Sequence, residues 1–452
     1  MKKSKLKLST THIILLSFLS AVLLGGVLLS LPISSATGQW TPFVDALFTS
    51  TTATCVTGLV VVPTFSAWST FGHIVILCLI QMGGLGVITV VSILAMMFHK
   101  KMGLSDRLLL QDAFNLNSLS GLSGFVKKVV SGTFLVEGIG ALLYMTVFVP
   151  EFGLKGIWIS VFTAISAFCN AGIDIIAPDS LAGYVHNPII NFTTCLLIFL
   201  SGIGYIVWWD VLRVLKAKKC KKIKVFKALT LHSKIALVTT LFLIFGGALC
   251  IFIFEYNNPA TMKDFTLYQK IQASFFQSVT TRTAGFFTVP QENLTNGSAL
   301  VSVLLMFIGG SPVGTAGGIK TVTIAVVVAA AVSTIKNKND VTMFNRTLSK
   351  QAISKAVAVI FTSFTIMFVS TVLLSAVTDA SIIDILYETA SATATVGLTR
   401  NLTASLNTIG KMIIIATMYF GRVGPISLAV AFNLKKQNPN IIKNPVEDIS
   451  VG

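Results

Sequence analysis

Four segments recur along the chain at almost constant spacing: FTSTTATCVTGL, FTAISAFCNAGI, FFQSVTTRTAGF and YETASATATVGL. Each sets an aromatic residue (Phe48, Phe162, Phe275, Tyr387) ten positions before a glycine (Gly58, Gly172, Gly285, Gly397). A large apolar residue follows every one of these glycines. The glycines lie 114, 113 and 112 residues apart, so the chain is read as one supersecondary unit written four times.

What flanks the segments fixes the solvent. Apolar runs near residues 13–31, 72–98, 125–149, 189–209, 235–254, 299–333, 353–377 and 409–433 are each long enough to cross a bilayer. Overall, 54% of residues are apolar and 11% charged, against about 25% charged in soluble domains. A soluble multidomain enzyme is excluded. The first run follows four lysines as in a signal peptide, but it has full spanning length and no clear cleavage site, so it reads as a transmembrane helix. Between the two spans of each pair, the recurring segment is too short and too rich in Thr, Ser and Asn to cross. It reads as a re-entrant loop.

The formal charge of +17 raises nucleic acid as a partner, but its distribution points elsewhere. With the N-terminus inside, the arm 1–12, the loops 99–128, 213–234 and 335–355 and the tail 434–452 carry 26 of the 34 Lys and Arg. Short basic loops beside apolar spans mark the cytoplasmic face. Both termini are therefore expected inside, and no nucleic acid is expected. The six cysteines form no CxxC, the five histidines are isolated and no Walker A motif occurs, so no enzyme chemistry, metal centre or nucleotide site is expected on this chain.

Each recurring segment has a physical reading. Thr41-Pro42, Thr266 with Gln269, and Ser381 with Asp384 look like helix starts. A short helix then runs inward and breaks before the glycine. Its C-terminal dipole end stabilises a cation, and the extended residues after it expose carbonyls that can replace a cation's water. Glycine suits such a turn because it reaches backbone angles closed to other residues. The carbonyl candidates are Val56, Thr57 and Gly58; Asn170, Ala171 and Gly172; Thr283, Ala284 and Gly285; and Thr395, Val396 and Gly397. Four polar hairpins that merely cap the bundle are the plain alternative. Arg282 must point away from a cation path, and either an acid such as Glu388 or nearby carbonyls would take it.

Two further spans are irregular. The sixth is interrupted by Gly309, Gly310, Ser311, Pro312, Val313, Gly314, Thr315, Ala316, Gly317 and Gly318, a composition no continuous helix holds. The eighth contains Arg422 amid apolar residues, which calls for a polar partner or the pore. Glycines 83, 84 and 86, and 202 and 204, are expected mainly to allow close helix packing, with kinks or hinge points as the alternative.

TATCVTGL, AFCNAGI, TTRTAGF and TATVGL, set in four span–loop–span units, resemble the Trk/Ktr/HKT superfamily of potassium transporters over nearly the whole chain. With eight spans it looks most like the Ktr membrane subunit of bacteria. The resemblance implies an all-α polytopic membrane protein of four pseudo-fourfold-related helix–pore-loop–helix units around one ion pore. It also implies K⁺ as the transported ion, with Na⁺ as an optional activator, a homodimer, and a cytosolic RCK-type nucleotide-binding ring. Glycine in all four loops implies K⁺ preference, and residues 309–318 with Arg422 take the gating role.

The expected organisation is pore unit 1 at 1–98, unit 2 at 99–212 with a cytoplasmic loop at 99–124, unit 3 at 213–334 with its basic loop at 213–234, unit 4 at 335–434, and a tail at 435–452. The expected location is the bacterial plasma membrane, with lipid as well as protein contacting the basic loops. A Na⁺-preferring or weakly selective channel, a coupled symporter and a non-transporting scaffold are the rival functions.

Overall fold

In the computed structural model, residues 10–87, 89, 90, 92, 103–113, 122–177, 179–217 and 222–424 are described. The lysines of the N-terminal arm, Lys218 to Lys221, Pro425 and the 435–452 tail lie outside them, so the expectations placed there stay sequence-level ones.

The described helices fall into four sets of similar order. Each set opens with a long outer helix: Thr10–Ser30, Leu122–Phe152, Leu231–Glu255 and Lys350–Ser375. At 21 to 31 residues these are long enough to cross a bilayer. They are apolar all round and keep large side chains exposed, among them Leu142, Phe242 and Phe361. A helix with no polar face and bare aromatics belongs against lipid.

A short helix follows in each set: Phe43–Cys55, Lys155–Cys169, Leu267–Thr280 and Ile382–Ala394. These are the Thr- and Ser-rich segments, and they are buried among the long helices. Small residues in the outer helices let them approach: a side chain on Gly25 would meet Ser50 Oγ, and one on Gly247 would meet Ser278 Oγ. The same two hydroxyls donate to main-chain oxygens of the outer helices, Ser50 to Val22 and Ser278 to Ile244, both at 2.7 Å.

The N-termini are capped much as the sequence implies. Thr266 and Gln269 form a reciprocal capping box, and Ser381 Oγ accepts from the amide of Asp384. The first short helix is different: Pro42 occupies the cap position and Thr41 does not cap it.

The third helix of each set is bent or stops short, in the sixth span where the glycine-rich run is expected to interrupt it and in the others at a single glycine. Thr70–Leu85 stops at Gly86. Pro188–Gly202 and Tyr205–Lys216 meet at a 93° bend around Gly204. Asn296–Phe307 and Thr321–Ile335 are separated by residues 308–320, and Thr408–Val423 stops at Gly424. Gly86, Gly204 and Gly424 all carry φ between 86° and 93°, an angle no helix contains. Hydropathy runs straight through these three glycines, so it does not locate the breaks. Gly83 and Gly84 do serve packing, against Thr54 and Cys169. Gly86 and Gly204 instead turn the chain.

Candidate functional site

The four short helices end facing one another, and the chain turns sharply at each end. Two residues before each repeat glycine stands a residue in the left-handed region: Val56 (φ 55°), Asn170 (φ 61°), Thr283 (φ 73°) and Thr395 (φ 53°). Three of the four are β-branched, for which this conformation is a true outlier, and such strain persists only where the surroundings over-determine it. The glycines follow at φ 101°, 64°, 84° and 98°.

These turns close into a ring. A Cβ on Gly58 would lie 2.4 Å from the Ala171 oxygen, one on Gly172 2.6 Å from the Ala284 oxygen, one on Gly285 2.6 Å from the Val396 oxygen, and one on Gly397 2.3 Å from the Thr57 oxygen. Each glycine thus abuts the carbonyl preceding the next glycine, in the order 58, 172, 285, 397 and back to 58. The four turns that hold the twelve candidate residues are brought together about one axis. Beneath them lie the negative dipole ends of four helices, an arrangement suited to a dehydrated cation.

Local hydroxyls brace the turns. Thr52 Oγ1 accepts from the amide of Gly58 at 2.9 Å, Ser391 Oγ from that of Gly397 at 3.0 Å, and Ser166 Oγ from that of Ile173 at 3.1 Å. Each lies six residues before its glycine, a regularity present in the aligned segments and not exploited in reading them.

The third turn breaks the pattern. Its hydroxyl, Thr280, lies five residues before Gly285, and Oγ1 donates to the Phe286 carbonyl instead. The Ala284 amide reaches back four residues, to Thr280, where the equivalent amides at 57, 171 and 396 reach back five. The buried aromatic is Phe276, not Phe275, whereas Phe48, Phe162 and Tyr387 are all fully buried. One residue fewer separates the buried aromatic and the hydroxyl from the glycine in this unit.

Directly against the ring sits the 308–318 segment. It is neither helical nor free, because each stretch is bonded. The Ser311 amide donates to the Gly202 oxygen (2.7 Å), the Tyr205 amide to the Val313 oxygen (3.0 Å), and the Thr321 amide to the Gly310 oxygen (2.9 Å). Thr315 Oγ1 donates to the Phe168 oxygen at 3.1 Å, and the Gly317 amide to Thr283 Oγ1 at 3.2 Å. A side chain on Gly317 would run into Thr395. Two positive-φ positions, Val313 and Gly318, let the segment fold back on itself. Pro312 and Gly314 pack at the bend of the second unit, where Gly204 meets the Pro312 oxygen and Gly314 the Ser201 oxygen.

Three cations clamp this loop. Arg282 donates to the oxygens of Ile308 and Gly309, each at 2.5 Å. Lys320 Nζ donates to those of Ala316 (2.5 Å) and Gly317 (3.2 Å). Arg422 bridges the Thr315 oxygen (2.7 Å) to the Gly83 oxygen (2.5 Å), and so ties the loop to the broken helix of the first unit. Of the two partners weighed for Arg282, the carbonyls are the ones it meets. Glu388 instead accepts from the hydroxyls of Thr399 and Thr403. Lys320 as a clamp was not foreseen, since a lysine after a glycine-rich run looks like a solvated one.

Comparison with known proteins agrees with this architecture. The family described as TrkH, cation transport protein, matches residues 2–443. The chain is 38% identical over 442 residues to the Ktr system potassium uptake protein B of Bacillus subtilis, covering 98% of this chain and 96% of that protein. It is 36% identical over 458 residues to the potassium/sodium uptake protein NtpJ of Enterococcus hirae, covering 100% and 99%. Among solved structures it resembles the potassium transporter TrkH from Vibrio parahaemolyticus, with a TM-score of 0.76 at 16% identity over 96% of this chain and 87% of that one. The fold is accordingly that of a multi-pass membrane transporter, not an enzyme, and the chain belongs to the TrkH family of cation transport proteins.

Proposed function

We propose that this chain carries K⁺ into the cell through its centre. The carbonyls of 56–58, 170–172, 283–285 and 395–397 replace the ion's hydration, and the Gly309–Gly318 loop with Arg422 acts as the gate. The observation that carries this reading is the closed ring of four glycine turns, in which the carbonyl before each glycine abuts the glycine of the neighbouring turn. Arg282, Lys320 and Arg422 hold the loop against the ring through its carbonyls, so an ion leaving the ring waits on the loop's displacement. No chemical energy is required of this chain. At about −100 mV inside, each entering charge gains roughly 2.3 kcal/mol.

The N- and C-termini are placed in the cytoplasm of a bacterium, because the basic loops cluster on that side. The protein called part of a Ktr system among its relatives suggests a multicomponent assembly. We infer a homodimer seated on a cytosolic nucleotide-binding ring of RCK type, with the loop 213–234 and the tail 435–452 as docking elements and anionic lipid as their other neighbour. Nucleotide binds that ring and not this chain. A second reading, Na⁺ as co-substrate or activator, is favoured by the relative named for potassium/sodium uptake.

The test is growth rescue of a K⁺-uptake-deficient bacterium at low K⁺, joined to ⁸⁶Rb⁺ uptake by proteoliposomes with and without Na⁺. Rescue by the native chain, lost on replacing any of the four glycines with serine, is expected. Liposomes that stay impermeable to Rb⁺ with the cytosolic partner present would overturn the reading. Equal uptake of Na⁺ and Rb⁺ would establish the weakly selective alternative.

A further inference from the structure

The third filter strand is the exception in two independent respects. Its own helix gives it no hydroxyl-to-amide bond of the kind that holds the other strands: Thr280 Oγ1 donates to the Phe286 carbonyl instead. It is also the strand that bonds the loop. Arg282 donates to the oxygens of Ile308 and Gly309 at the loop's start, and Thr283 Oγ1 accepts from the Gly317 amide at its end. Among the described residues the loop makes no hydrogen bond to residues 56–58, 170–172 or 395–397.

From this we propose that Arg282 and Thr283 are positioning residues that make loop displacement and filter geometry one equilibrium: the gate, when it moves, resets the third strand and with it ion selectivity. The proposal rests on the filter-and-gate reading above.

The physical argument is one of stranded groups. Arg282 is 4% exposed, and its charge-assisted bonds to two carbonyls are what make it tolerable at that depth. If the loop withdrew alone, a desolvated guanidinium would lose both acceptors. The arginine must therefore follow the loop or be rehydrated. It is three residues from Gly285, so following moves the peptide planes of Thr283 and Ala284. Strands one, two and four are held by Thr52, Ser166 and Ser391, whatever the loop does. The third is tied to its own helix through Thr280 but also to the loop through Arg282 and Thr283, so it alone follows the gate.

The experiment is a double-mutant cycle on the full chain in proteoliposomes, reading ⁸⁶Rb⁺ uptake and its inhibition by Na⁺. Ser311→Ala loosens the loop at a hydroxyl that bonds Thr321 at 2.7 Å and makes no hydrogen bond to the four filter turns. In the native background it should change both Rb⁺ flux and the Na⁺ concentration that halves uptake. Thr283→Val should lower that Na⁺ concentration by about fivefold or more. It should also abolish most of the effect of Ser311→Ala, whereas Thr283→Ser, which keeps the hydroxyl, should preserve that effect on Na⁺ sensitivity. The control pair is Thr52→Val with Ser311→Ala. It cuts a local brace, so its effects should multiply independently.

Independent effects of Thr283→Val and Ser311→Ala, in protein that remains monodisperse, would overturn the coupling. So would an unchanged Na⁺ sensitivity in Thr283→Val. A native chain that carries no Rb⁺ would remove the transport reading itself, a distinguishable failure.

Discussion

Asp45 and Lys411, separated by 366 residues of sequence, are joined by an ion pair of 2.6 Å. Asp45 lies in the first turn of the first short helix, and Lys411 near the start of the last broken helix. The bond therefore closes the circle of four units between its first and last members. Both side chains are 18% exposed, so the pair is more protected than a surface one. Lys411→Met is expected to cost about 1 kcal/mol, read as a lower unfolding temperature in detergent. The charge-swapped double variant Asp45→Lys with Lys411→Asp should recover most of the loss.

Replacing Gly172 with alanine is the sharpest probe of the ring. The new methyl would sit 2.6 Å from both the Ala284 oxygen and the Gly285 Cα, and φ is already +64°. The left-handed conformation alone costs about 1–2 kcal/mol for a residue with a side chain, and the clash adds to it. Rb⁺ uptake should fall by more than about tenfold, with protein still reaching the membrane. Gly183→Ala, where a Cβ meets nothing within 4 Å, is the matched control and should transport normally.

Arg422→Ala should speed Rb⁺ entry in liposomes lacking any cytosolic partner. The substitution removes the donor shared by Thr315 and Gly83. Hydrogen bonds to charged groups contribute about 1.5–3 kcal/mol each, so roughly a tenfold or larger shift toward the displaced loop is expected. Arg422→Lys, which can reach one carbonyl but does not offer the forked geometry, should fall between. Unchanged flux in both variants would separate the arginine from gating.

Asp174 gives a pH dependence. It stands two residues beyond Gly172, and its acid is raised to about 6 from an ordinary 3.8. Burial is the main cause, opposed by the Ser180 hydroxyl and the amides of Ile176 and Ala177. A raised carboxyl is charged only above about 6, so its attraction for cations at the ring is present at neutral pH and lost as pH falls through that value. The sign for stability is the reverse: the folded protein holds a proton that the unfolded chain releases between 3.8 and about 6, so stability rises as pH drops across that window. Rb⁺ uptake should decline from pH 7 to pH 5.5, and Asp174→Asn should flatten the profile.

The repeat carries a large share of what is legible in the sequence. Aromatic, glycine and following apolar residue locate all four turns, because a ring around one axis demands the same backbone at each position. The glycine-rich interruption of the sixth span is equally visible, since no packing can rescue five glycines and a proline as helix. Other features leave no such trace. The breaks at Gly86, Gly204 and Gly424 are single residues within apolar runs, so hydropathy registers nothing. The third unit looks aligned with the others through Phe275, yet Phe276 fills the buried place. The two adjacent aromatics conceal a one-residue shortening that only the hydrogen bonds at Thr280 and Ala284 reveal.

Among the described residues the inner helices bend or stop at a single glycine in three quadrants, whereas in the remaining one residues 308–320 separate two helices. A conduit assembled from four identical chains would repeat any such insertion four times and plug itself. A single polypeptide escapes that symmetry: it can confine an obstruction to one side of the passage and leave the other three walls smooth. Its length and composition can then be tuned by local sequence change, without disturbing how the oxygens above are spaced.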